Sequence, residues 1–252
     1  MRSLLLAAIA ATLAVQDKTD GSTNPDVVLK EFKQAYVRAG KSDSAREAAV
    51  RSLGKAPHAK TLSALSQVLL GDGSGQEVAD VRIAAAETIG AAFGAIPNSW
   101  TPLATVARIR DKKITEVRIS AVKAMGKLAD PKSLRALQDL VDDKPFEMAK
   151  EAVDALPGVP DRSSVPLLIK LLREVERVPD SAILPELPFN GLGMGGVVVD
   201  DARNEQITRR KVLYNPILDA LKALTGQDFT TYKDYQKWWS ANRPSRSRAG
   251  SA

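Results

Sequence analysis

The chain has 252 residues, of which 44% are hydrophobic and 5% aromatic; rich in Ala and Leu, it suits packed helices better than a β-sandwich, and an all-α protein is expected. The absence of cysteine excludes disulfides, thiolate nucleophiles and sulfur-bound zinc, and the single histidine, His58, excludes imidazole metal clusters. A formal net charge of +6 raises nucleic acid as a partner, which the placement of the charges must then support.

In chain order, Arg2 precedes an apolar run over residues 4–11, and Thr12-Leu13-Ala14 supplies the small residues of a cleavage site; residues 1–14 read as a secretory signal peptide. The run falls short of the roughly 20 residues that span a bilayer, so no membrane span is expected in the mature chain. That chain would start near Val15 or Gln16 and reside in the periplasm or outside the cell. Residues 15–24 read as a flexible N-terminus, and a repeat domain is expected over 25–242. Its first helix is predicted over 25–39, with Val28, Leu29, Phe32, Tyr36 and Val37 as the apolar stripe.

A self-alignment carries the strongest signal. The stretch AREAAVRSLG beginning at Ala45 recurs as VRIAAAETIG from Val81 and as VRISAVKAMG from Val117, each 36 residues after the last. A weaker copy, MAKEAVDALP, starts at Met148 after an offset of 31. A period of this length is the mark of a solenoid. Each copy has helical spacing, as in Val117, Ala121, Met125 and Leu128, and its closing glycine (Gly54, Gly90, Gly126) is expected to cap the helix C-terminus at positive φ. Second apolar-periodic segments at 61–70, 101–109, 132–141 and 164–175 alternate with the copies, so the unit is a helical hairpin. Polar or proline punctuation at Asp130-Pro131 and Pro160-Asp161 marks their starts. Further on, helices are predicted at 207–224, kinked or delayed by Pro216, and at 232–241.

From about Asp43 to Val175 these hairpins, with their V-R-x-x-A-x-x-A-x-G helix, resemble HEAT repeats. The resemblance implies a right-handed α-α superhelix of about five hairpins with a C-terminal capping helix. It also implies an acidic turn at Asp80 and Glu116 and a structural polar ladder of Arg46, Arg82 and Arg118 along the seam between repeats, broken where Ala149 replaces the arginine. The ending LKALTGQDF from Leu221, followed by Tyr235, Trp238 and Trp239, is similar to endings of exported HEAT-repeat proteins of planctomycetes.

Four sets of residues are candidates for function. The same slot of successive copies holds Arg51, Glu87, Lys123 and Asp154, an alternating-sign stripe that fits a polar protein partner or plain solvation. The run Arg108-Ile109-Arg110-Asp111-Lys112-Lys113 is a basic patch without interleaved aromatics, so nucleic acid is not expected and envelope anions or a solvated helix end remain. A Gly-rich insertion over 178–205, within the last hairpin, carries Phe189, Leu192 and Met194, which either cap the core or present a binding knob; Val197-Val198-Val199 is a possible short strand. Adjacent Trp238 and Trp239 are expected at the end cap, and residues 243–252 as a disordered tail. No catalytic, cofactor or metal residues are assigned. The sequence-based expectation is a non-catalytic interaction module bound to another protein of the cell envelope; the alternatives are a structural subunit of an envelope assembly or a HEAT-fold enzyme such as a lyase.

Overall fold

The computed structural model describes residues 24–71, 78–159, 161–179 and 201–243, and among them there is no strand. The helices are α1 (Pro25–Ala39), α2 (Asp43–Ser52), α3 (Ala59–Leu70), α4 (Ala79–Ala92), α5 (Trp100–Ala107), α6 (Thr115–Leu128), α7 (Leu134–Leu140), α8 (Phe146–Ala155), α9 (Val165–Glu176), α10 (Asp201–Thr225) and α11 (Tyr232–Asn242). Consecutive helices pair into five hairpins, α1/α2 to α9/α10, and α11 closes the far end against α9. One layer runs α2, α4, α6, α8, α10, each packed on the next, and the partner helices form the other; the fold is an all-α solenoid.

Local chemistry sets the helix starts. Asn24 accepts the Asp26 N–H at 2.9 Å and Pro25 supplies the first turn of α1. Asp130 and Asp161 cap single 3-10 turns (Pro131–Ser133 and Arg162–Ser164) that lead into α7 and α9. The hydroxyls of Thr61, Ser133 and Ser164 recur fully buried at the starts of α3, α7 and α9; Thr61 donates to the Ala56 carbonyl at 2.7 Å and Ser133 to Asp130 at 2.7 Å, so the turn carbonyls do not stay unpaired. A single apolar core follows, continuous from Val28 and Phe32 in α1 to Tyr235 in α11.

Three expectations change. Val37 lies outside the stripe, 79% exposed, because it sits one residue further round α1 than half-buried Tyr36. The helix α10 starts at Asp201, so residues 201–205 are helical rather than part of the insertion, and it runs unbroken through Pro216. Burial of Leu213, Ile217, Ala220 and Leu221 offsets the missing bond of that proline, a defect of about 3 kcal/mol.

The third change concerns the repeat glycines. Gly90 and Gly126 lie inside α4 and α6, and Gly54 in a 3-10 turn; positive φ at helix ends occurs instead at Gly40, Gly71, Ala129 and Gly226. A Cβ on Gly90 would stand 2.8 Å from the Cα and Cβ of Ala124, and one on Gly126 2.8 Å from Ala155 Cβ. On Gly54 it would meet Thr88 Cγ2 at 3.0 Å. Each glycine therefore faces the slot two residues before its own counterpart in the next copy, a slot held by Thr88, Ala124 and Ala155. The repeat selects glycine for close approach of neighbouring helices rather than for its φ.

Candidate interaction surface

Because the α2-to-α8 layer is held in register by that seam, its outward slots line up. Arg51 on α2 reaches Glu87 on α4, Nη2 to Oε2 2.8 Å, with both side chains about half exposed. Lys123 on α6 turns to Glu151 on α8, Nζ to Oε1 3.5 Å. Asp154 pairs within α8 to Lys150 at 2.7 Å, and this hydrogen bond holds the Lys150 ammonium above its ordinary pKa against the opposing cost of its desolvation. The row is thus a set of ion pairs of alternating polarity, not four independent charges. Glu151 and Lys150, which complete it, were missed in the sequence because neither occupies the repeated slot.

The arginine ladder has a different geometry. On α4, Arg82 Nε donates to the Leu69 carbonyl at 2.9 Å and Nη2 to that of Leu70 at 3.4 Å. On α6, Arg118 Nε donates to the Ala107 carbonyl at 3.0 Å. Both arginines close the C-terminal end of the partner helix in their own hairpin, where its dipole is negative. Arg46 lies over the Tyr36 ring near the end of α1, 5.5 Å from its centroid, and its Nε is buried without a hydrogen-bond partner among the described residues. Arg118 also reaches into the next repeat: its Nη2 bonds the Asp143 carboxylate, with 3% and 8% of the two side chains exposed. The acid in that link follows α7, whereas Asp80 and Glu116 sit in the first turns of α4 and α6.

At the far end Tyr235, fully buried, forms the seal. Its hydroxyl donates to the Gln227 carbonyl at 2.9 Å, its ring meets Phe229 edge-on at 5.1 Å, and burial raises its phenol pKa. Trp239 is half-buried on the core, and the Trp238 ring leans on it at 6.2 Å. Phe189, Leu192, Met194 and residues 197–199 lie outside the described residues, as do residues 1–23 and 244–252. His58 caps α3: its Nδ1 accepts the Lys60 N–H at 3.2 Å, and its backbone N–H donates to Thr61 Oγ1 at 3.0 Å. Among the described residues no group of three or more His, Asp or Glu side chains has metal-binding geometry, and no helix is long and apolar enough to cross a membrane.

A two-layer α-solenoid with small-residue seams and mixed-charge outer slots defines the class of protein. Residues 77–156, which take in α4 to α8, match the family model for HEAT repeats, and the match supports the HEAT-repeat family. HEAT repeats are commonly protein-interaction scaffolds and typically non-catalytic. Curated proteins gave no match to the chain.

Proposed function

We propose that this chain is an exported, non-catalytic scaffold of the planctomycete-like type, which binds another protein of the cell envelope along the α2-to-α8 layer. The observation that carries the reading is the row of partly exposed ion pairs from Arg51 to Asp154 on that layer. Exposed pairs of this kind add at most about 1 kcal/mol each to stability, so their ordered alternation is of more use in fixing the register of a charged partner. The single imidazole is engaged in a helix cap, which argues against its use as a general base. Export rests on residues 1–14 alone, whose removal would leave a mature chain beginning near Val15.

The pairing suggests a sharper test than simple charge reversal. Exchanging the partners, Arg51→Glu with Glu87→Lys and Lys123→Glu with Glu151→Lys, together with Lys150→Glu and Asp154→Lys, inverts the polarity of the row while conserving each pair. Affinity capture from envelope and secreted fractions should then lose a partner held by the wild type, with unchanged helicity and melting temperature. Retention of the same partner by the exchanged variant would remove this surface from the binding site.

A further inference from the structure

A second feature lies at the edge of the repeats rather than on the α2-to-α8 row. The segment before α6 and the turn before α8 enclose a cleft of ≈ 780 Å³. One wall carries Arg110, Lys112 and Thr115, the other Asp142, Lys144 and Pro145, and the buried Arg118–Asp143 pair lies between them. The positive groups are unequally engaged. Lys144 is tied to Glu205 at 2.6 Å and Arg118 to Asp143, while Arg110, 85% exposed, comes only within 4.0 Å of Asp143. Lys112 is exposed and forms no ion pair among the described residues. The basic run also loses Arg108 to Asp139 at 3.4 Å, which leaves Arg110 and Lys112 as its cations on the cleft.

Two helices begin at the cleft, α6 after Ile114 and α8 after Pro145, and neither has a side-chain cap. Their positive dipole ends reinforce the two available cations. The acids are committed: Asp142 bonds Arg209 at 2.5 Å and Asp143 bonds Arg118 and the Lys144 N–H at 2.8 Å. The uncompensated charge in the cleft is therefore positive and lies on one wall, on exposed Arg110 and Lys112.

We infer that this cleft between the third and fourth repeats is a binding site for an acidic peptide segment of a protein partner, with Arg110 and Lys112 receiving its carboxylates. An extended peptide also has backbone N–H groups for the remaining lone pairs of Asp142, which is 60% exposed, whereas a phospholipid surface has no backbone N–H. The inference deepens the scaffold reading and rests on it. The exchanged row tests that reading at other residues, so either can fail alone.

The test uses the full chain and fluorescein-labelled hexaglutamate, with hexaglutamine as the uncharged control, followed by anisotropy. The variant Arg110→Glu with Lys112→Glu should bind hexaglutamate roughly tenfold or more weakly. A second variant, Lys33→Glu with Lys41→Glu on and beside α1, makes the same change in net charge at exposed remote residues and should bind like the wild type. Arg110→Gln with Lys112→Gln serves if the reversed variant melts early. Equal weakening by the cleft and remote variants would reduce the effect to bulk charge and overturn the site, as would absence of hexaglutamate binding by the wild type. Binding to phosphatidylglycerol vesicles but not to the peptide, lost with Arg110 and Lys112, would assign the cleft to a membrane surface and overturn the acidic-peptide proposal.

Discussion

Gly90 shows how much of the architecture is decided at single residues. In an isolated helix, Gly90→Ala would gain about 1 kcal/mol from helix propensity. Here the added methyl would lie 2.8 Å from the Ala124 backbone, which cannot swing aside as a side-chain tip could, so α4 and α6 must separate. Overpacking of this kind costs about 1–3 kcal/mol, and the variant is expected to be less stable by about 1 kcal/mol or more in denaturant titrations. The same substitution at Gly54 meets side-chain atoms alone, Thr88 Cγ2 at 3.0 Å and Ala92 Cβ at 3.7 Å, and should cost clearly less. Equal effects at the two sites would show that the seam tolerates wider spacing. The sequence revealed the glycine period but not its cause, because a cap and a close approach both select glycine and only the neighbouring helix distinguishes them.

At the scale of elements, periodicity located nearly every helix, and the misses have physical reasons. The first turns of α10 have no apolar stripe to detect, since residues 201–206 are polar apart from Ala202; Lys144 pairs there with Glu205. The contact that docks α11 was equally hidden. Glu176, the last residue of α9, accepts the Tyr232 N–H at 2.8 Å and so closes the start of α11. Burial raises the pKa of this carboxyl above its ordinary range, against the lowering effects of the Tyr232 N–H and Arg210. Between the ordinary and the raised value the folded chain binds more protons than the unfolded one, so this group's contribution to stability falls as pH rises through that window. Glu176→Gln keeps an oxygen acceptor and removes the desolvated charge. Its melting temperature should match the wild type near about pH 4 and equal or exceed it near about pH 7, where the wild-type group is ionised. A variant destabilised by the same amount at both pH values would show that the N–H bond needs the full carboxylate geometry.

For the whole molecule, the legible part was the nearest-neighbour architecture and the illegible part was how charges pair across it. The alternating slot was visible from Arg51 to Asp154, yet Lys123 engages Glu151 and Arg118 engages Asp143, partners set by where turns bring α8 and its approach rather than by the 36-residue period. Nearest-neighbour stacking also makes a claim about unfolding. Each hairpin packs mainly on its neighbours, so stability should be a sum of local terms rather than one global value. Tyr235→Ala tests this at the closed end, since it removes a fully buried ring, its contact with Phe229 and its bond to the Gln227 carbonyl. Truncating a large buried aromatic costs about 3–5 kcal/mol. In native-state hydrogen exchange the loss of protection should concentrate in α9 to α11, with α4 and α6 nearly unchanged, because several interfaces separate them from the lesion. A uniform loss from α2 to α11 would instead show that the single continuous core couples the hairpins into one cooperative unit.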